Sequence, residues 1–186
     1  RSQGHELLGL PGFRTYYGEW AVSGPNGFLI PVRNKDGLIQ GIKIRLDDET
    51  QPNRKYRWLS TRDMPDGTRS YSYVHVTGDT TKKRAYLTEG PLKGDVASFL
   101  AKDALFVCIG GVNAIHGLKD TIRDLSVTEV VEAMDMDQMT NPNVRKAVLA
   151  IRREIQSIRR LRYTKYTWNP AYKGVDDYLL SCAAGA

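Results

Sequence analysis

The alternation of apolar and polar positions divides the chain into two parts of different character. Residues 28–73 read as strands and turns. Phe28-Leu29-Ile30-Pro31-Val32 is a short extended run, and Asn34-Lys35-Asp36-Gly37 carries turn chemistry. Residues 39–45, Ile39-Gln40-Gly41-Ile42-Lys43-Ile44-Arg45, alternate with a period of two and predict a hairpin with one wet face. The stretch 47–54, rich in Asp, Pro and Asn, reads as a loop.

From about residue 85 the period changes. Residues 85–88 form a short apolar run that ends at Glu89-Gly90-Pro91. Residues 93–102 carry Val96, Phe99 and Leu100 at helical spacing, and 105–109 is a second apolar run closed by Gly110-Gly111. A short helix is expected over 112–118 and a strand over 127–134. The clearest helix spans 143–160, with Val144, Ala147, Val148, Ile151, Ile155 and Ile158 on one face. A fourth strand over 162–168 and a last helix over 176–181 complete the series. The order β-α-β-α-β-α-β predicts an α/β fold, a four-stranded parallel sheet with flanking helices, preceded by a smaller strand-rich basic lobe. The expected division is 1–82 for the lobe and 83–186 for the α/β domain. Functional groups of such sheets gather beyond the carboxyl ends of the strands, where Glu89, Asp135 and Asp137 all fall.

Composition narrows the class. The 186 residues are 41% hydrophobic and 26% charged, ordinary for a globular chain. No apolar run is long enough to span a membrane, so a cytoplasmic protein is expected. Cys108 and Cys182 form no metal-binding pair, and Cys108 lies in the apolar run as a small hydrophobe. His75 and His116 are expected to serve packing or local hydrogen bonding. The first residues lack an initiator Met and suggest a segment of a longer polypeptide. The net charge of +6 favours polyanion partners.

The candidate chemistry is acidic. Asp135-Met136-Asp137 follows the third expected strand, and in extended chain residues i and i+2 face one side with alpha carbons roughly 6–7 Å apart. Two such carboxylates can converge on a hard cation. Chance alone would supply about one Asp-x-Asp among the chain's fourteen aspartates, so the pair gains meaning only from Glu89 at the same sheet edge. Arg33, Lys43, Arg45 and Lys55 lie near Tyr56 and Trp58, a mixture of cations and rings suited to single-stranded nucleic acid. The run Arg152, Arg153, Arg159, Arg160, Arg162 and Lys165 is expected to be a solvated face.

The residues Tyr86-Leu87-Thr88-Glu89-Gly90, Gly110-Gly111 and Asp135-x-Asp137 resemble the Toprim domain of primases, topoisomerases and some nucleases. Phe28 to Arg33, Gly37, Gly41, Arg45 and Lys55-Tyr56 resemble the basic lobe that precedes Toprim in bacterial replicative primases. Glu89 to Lys93, taken with Lys173-Gly174-Val175-Asp176-Asp177, is similar to a domain of unknown function with a Toprim-like core, found in replication proteins of plasmids, phages and other mobile elements.

The resemblance implies Glu89 as general base or acid, and Asp135, Asp137 and Asp176 as ligands of Mg²⁺ or Mn²⁺. It implies nucleic-acid or nucleotide contacts by Arg33, Lys43, Arg45, Lys55, Tyr56 and Lys93. The implied activity is primase-like nucleotidyl transfer on a single-stranded DNA template with nucleoside triphosphates. A helicase or other domains of the longer polypeptide would be partners. Rival readings are a Toprim nuclease and a non-catalytic nucleic-acid-binding module. Two positions depart from the primase pattern: Lys93 and Gly174 stand where primases carry acids.

Overall fold

The computed structural model describes residues 7–47, 55–111, 115–136 and 141–185. The chain forms two compact units. One comprises the residues up to Val32 together with Ile39–Ser72, and the other takes Arg33–Leu38 and everything from Tyr73 onward.

The first unit is built of short strands. β1 (Phe13–Tyr16) and β2 (Glu19–Val22) pair antiparallel across Tyr17-Gly18. Both turn residues have positive φ, 47° and 76°, the geometry of a tight hairpin whose twist matches its strands. β3 (Gly27–Arg33), β4 (Ile39–Leu46) and β5 (Tyr56–Trp58) form a second sheet in that order. Ile30, Val32, Ile44 and Leu59 are buried. The expected wet face of β4 is only partly found. Lys43 is 8% exposed, because β5 sets Tyr56 and Trp58 beside it, with ring centroids 5.1 and 6.0 Å from its ammonium.

The second unit contains a five-stranded sheet. Four parallel strands, β7 (Arg84–Glu89), β8 (Phe106–Ile109), β9 (Glu129–Glu132) and β10 (Arg162–Lys165), lie in the order β10-β9-β7-β8. This is the expected parallel sheet. An antiparallel strand not anticipated from the sequence, β6 (His75–Thr77), pairs with β8 and extends the edge.

Four helices flank the sheet: α1 (Pro91–Leu100), α2 (Leu118–Asp124), α3 (Pro142–Gln156) and α4 (Val175–Ala184). α2 begins where the sequence pattern had it end. Gly117, with φ 76°, breaks the backbone ahead of it, and Leu118 and Ile122 supply the buried face. α3 is capped by Asn141, whose side chain accepts from the Asn143 and Val144 amides, and it buries Val148, Ile151 and Ile155.

Alternation along the strands feeds two cores. Leu87, Val107 and Ile109 pack with Ile122, Val148, Ile151 and Ile155. Phe106, Cys108 and Ala133 pack with Ala97, Trp168 and Val175. α1 and α4 therefore cover one face of the sheet, and α2 and α3 the other.

α1 approaches β8 closely because Gly94 faces it. A Cβ on Gly94 would lie 2.0 Å from the Cys108 sulfur. Gly94→Ala is therefore expected to destabilise the second unit. Overpacking costs about 1–3 kcal/mol and outweighs the helix-propensity gain of about 1 kcal/mol. A denaturation midpoint unchanged or raised in the variant would contradict this contact.

β9 carries two buried glutamates. Glu132 accepts from Arg152 and from the Tyr163 hydroxyl, and Glu129 accepts from Arg84, Arg162 and Thr164. Arg152 thus departs from the solvated face expected of this run, whereas Arg162 bonds Glu129 while its side chain stays 66% exposed. Each reaches in to neutralise a carboxylate on the sheet. The hydrogen bonds from Arg162 and Arg84 hold the Glu129 carboxyl at about 2, below its ordinary 4.5. The stabilisation this gives is complete above pH 4.5 and is lost as pH falls towards 2. Glu129→Gln should flatten the fall in urea midpoint between pH 5 and pH 2.5. An equal fall in both proteins would refute the coupling.

Candidate functional site

The parallel strands end together, and the backbone continues the register past them. Glu89 pairs with Ile109 at the end of β7, and the Ala133 amide donates to the Leu87 carbonyl at 2.8 Å. Asp135 follows two residues later on the same edge. The Met136 amide donates to the Lys173 carbonyl at 2.9 Å, which brings the start of α4 to Asp135. α1 begins directly after Gly90, so Lys93 stands in its first turn, as Asp176 and Asp177 stand in the first turn of α4. Two helix amino termini at one edge create a field that favours carboxylates and phosphates.

Asp135 is the centre of this edge. It is 3% exposed, and its Oδ2 accepts a hydrogen bond from the Lys93 ammonium at 2.5 Å. The Lys173 ammonium lies 3.9 Å from the same oxygen. The other oxygen, Oδ1, is buried with no partner among the described residues. Asp176 repeats the pattern: its Oδ1 is also buried and unpartnered. Burial and the neighbouring Asp177 push the Asp176 carboxyl above its ordinary range, and Lys93 opposes them. Thr88 Oγ1, on the penultimate residue of β7, is the third buried side-chain polar atom without a partner among the described residues. Thr88 and Asp135 belong to segments that run out at the carboxyl edge, and Asp176 to a helix that starts there.

Glu89 reaches toward the Gly110-Gly111 turn, with Oε1 4.0 Å from the position a Cβ on Gly111 would occupy. A Cβ on Gly174 would lie 2.2 Å from Asp176 Oδ1, so Asp176 occupies the space that a side chain at 174 would need. Asp137 lies outside the described residues. Among the described residues no three Asp, Glu, His or Cys side chains gather closely enough to hold a metal ion by themselves. Asp135 and Asp176 nevertheless present two unsatisfied carboxylate oxygens, the donor type that hard divalent cations take, and Asp137 follows Asp135 by two residues.

The basic residues fall in different settings. Arg45, Lys55, Tyr56 and Arg57 are exposed on the β4–β5 hairpin, where Arg45 pairs in register with Tyr56. Lys43 is buried beside two rings, which gives it a packing duty in this hairpin. Arg33 is fixed through its backbone: its amide donates to His75 Nδ1 at 2.9 Å. Because Nδ1 is thereby an acceptor, the fully buried His75 carries its proton on Nε2, which donates to Asp95 on α1 at 3.0 Å. Burial raises the Asp95 carboxyl, but His75, Thr77 and Arg33 together more than offset this and the group sits below its ordinary range.

Lys173 and Thr88 joined the site unforeseen. Lys173 was legible only as part of a motif, and a threonine on a strand gives no signal until its burial is known.

No family model matches this chain, and no curated protein matches it. Solved structures do. A DNA primase domain from Pseudomonas aeruginosa superposes with a TM-score of 0.61 at 15% identity, covering 94% of this chain and 53% of that one. The zinc-binding and RNA polymerase domains of the Aquifex aeolicus primase give 0.59 at 16% identity, over 94% of this chain and 42% of that one. The RNA polymerase domain of Mycobacterium tuberculosis primase DnaG, in complex with a double-stranded DNA oligomer with a 6-nucleotide overhang, gives 0.55 at 17%, over 98% and 59%. The chain has the fold of primase catalytic domains and spans about half the length of those structures.

Proposed function

We propose that this chain is a primase-like catalytic core that joins nucleotides on a nucleic-acid template in a metal-dependent reaction, within the replication machinery of a mobile element. The observation that carries the reading is the pair of buried, unpartnered carboxylate oxygens on Asp135 and Asp176 at the carboxyl edge of a primase-type sheet. Unsatisfied buried carboxylate oxygens are costly, and a ligand that meets both explains why they persist. The resemblance of residues 173–177 to the Toprim-like domain of mobile-element replication proteins supports the biological setting.

Asp135, Asp137 and Asp176 would hold Mg²⁺ or Mn²⁺, which when bound supplies positive charge to the phosphoryl oxygens. Glu89 would accept the proton of the attacking primer hydroxyl. The hydroxyl oxygen then bonds to the α-phosphorus, the bond to the β-phosphate oxygen breaks, and pyrophosphate leaves. The exposed Arg45, Lys55 and Tyr56 of the hairpin, with Arg33, would grip template or nucleotide through phosphate contacts and stacking. A helicase, or other domains of a longer polypeptide, would act as partners.

The test is to incubate the protein with single-stranded DNA, labelled nucleoside triphosphates and Mn²⁺. New labelled strands support the proposal. A shortened template would assign the same acids to phosphodiester hydrolysis, and retained DNA binding with no product would leave a binding module.

A further inference from the structure

We infer that Lys93 is a tethered cation standing in the place of one divalent ion, so that the edge accepts a single metal ion on the free oxygens of Asp135 and Asp176. The inference rests on the reading of these aspartates as metal ligands. It is independent of whether the reaction is nucleotide joining or hydrolysis.

Three observations converge on it. The first is the division of labour within one carboxylate. Lys93 at 2.5 Å and Lys173 at 3.9 Å both approach Asp135 Oδ2, whereas Oδ1 is buried with no partner among the described residues. Oδ2 is neutralised from within the protein, and only Oδ1 is left for an ion. The second is the placement of Lys93 in the first turn of α1. A cation is disfavoured at the amino end of a helix, where the macrodipole is already positive. Helix stability therefore does not explain a lysine there, and the carboxylate it contacts does. Its side chain is 29% exposed, so the stem is packed and the ammonium is directed to Asp135 rather than to bulk water.

The third is charge and space. Asp135 Oδ2 faces two ammonium groups, those of Lys93 and Lys173, so the charge on this oxygen is met from within the protein. Position 174 is a glycine and adds no carboxylate to the edge, and a Cβ there would have to displace Asp176 Oδ1, which lies 2.2 Å from its position. An ammonium supplies a fixed charge and three donors but cannot act as a Lewis acid. Its consequence is a site with lower demand for free metal than one built of acids alone.

Calorimetric titration of the whole chain with MnCl₂ tests this directly. The wild type and Lys93→Arg, which keeps the charge, are expected to bind one ion. Lys93→Asp, which removes the charge and adds a ligand, is expected to bind two. Should Lys93→Asp fail to fold by circular dichroism, Lys93→Met removes the charge at similar length, and it too should gain one ion over the wild type. Equal stoichiometry in the wild type and the charge-removed variant would overturn the role of Lys93 while leaving the metal site in place. Absence of Mn²⁺ binding in every protein would overturn the metal reading and this inference with it. Failure to make new strands, with the stoichiometry difference intact, would count against primase activity alone.

Discussion

Asp135→Asn is expected to lower metal-dependent nucleotide incorporation about 10²–10³-fold, the scale of removing one group that stabilises transition-state charge. The substitution keeps the shape of the side chain and removes its negative charge. Oδ1 of Asp135 is one of only two buried carboxylate oxygens without a partner among the described residues, so the loss falls on the atom best placed to meet a cation. The effect on folding should be small by comparison, about 1–2 kcal/mol. Lys93 loses its anionic partner, but at 29% exposure its ammonium can turn to water, and the amide oxygen still accepts a hydrogen bond. Incorporation assays run beside thermal melts separate the two effects. Activity within threefold of wild type in a folded variant would remove Asp135 from the reaction.

Glu132→Ala should have the opposite profile, a large loss of stability from a carboxylate whose oxygens are engaged by protein partners. Glu132 is fully buried at the carboxyl end of β9, and it accepts from Arg152 Nε at 3.1 Å, from Arg152 Nη2 at 2.9 Å and from the Tyr163 hydroxyl at 2.6 Å. Burial and Glu132 together raise the Tyr163 hydroxyl above its ordinary range, so that group stays a neutral donor. Removing the carboxylate strands a guanidinium and a phenol beside a 0%-exposed position. Breaking one partner out of a buried ion pair costs about 3–5 kcal/mol. For a chain of this size that corresponds to a fall of roughly 10 °C in melting temperature. A drop below 3 °C would show that water or a neighbouring group replaces the carboxylate without penalty.

The two outcomes distinguish what an acid at this sheet does. Glu129 and Glu132 are satisfied by arginines and tie α3 and β10 to the sheet. Asp135 and Asp176 sit past the strand ends with oxygens left over. Burial alone does not mark a functional carboxylate; burial with an unspent acceptor does.

Much of this was legible in the chain. The change from a two-residue to a helical period near residue 85 correctly announces the parallel sheet and its helices, because amphipathic faces must match their partners in period. The strands at 13–16, 19–22, 56–58 and 75–77 were not individually legible. Runs of three or four residues are too short for periodicity, and their pairing is decided by distant segments. The helix near residue 118 was misplaced because Ile115, Leu118, Ile122 and Leu125 share spacing with the residues before them, and only the backbone break at Gly117 fixes where it starts. The placement of Glu89 at, and Asp135 past, the strand ends was legible from the order of elements. Asp176 came only from the resemblance, and Asp137 lies outside the described residues. That Lys93 would spend itself on Asp135 was not legible, since a lysine four residues after Glu89 reads equally as a phosphate ligand.

The central claim is that Asp135, Asp137 and Asp176 gather a divalent cation at the carboxyl edge of the sheet. Replacing Mg²⁺ by Fe²⁺ and adding ascorbate and peroxide generates radicals at a bound ion and cuts the nearest backbone. Cleavage is predicted next to residues 88–93, 134–137 and 173–177, suppressed by excess Mg²⁺ and absent in Asp135→Asn. Uncut protein, or cuts at sites unrelated to these three segments, would contradict the account.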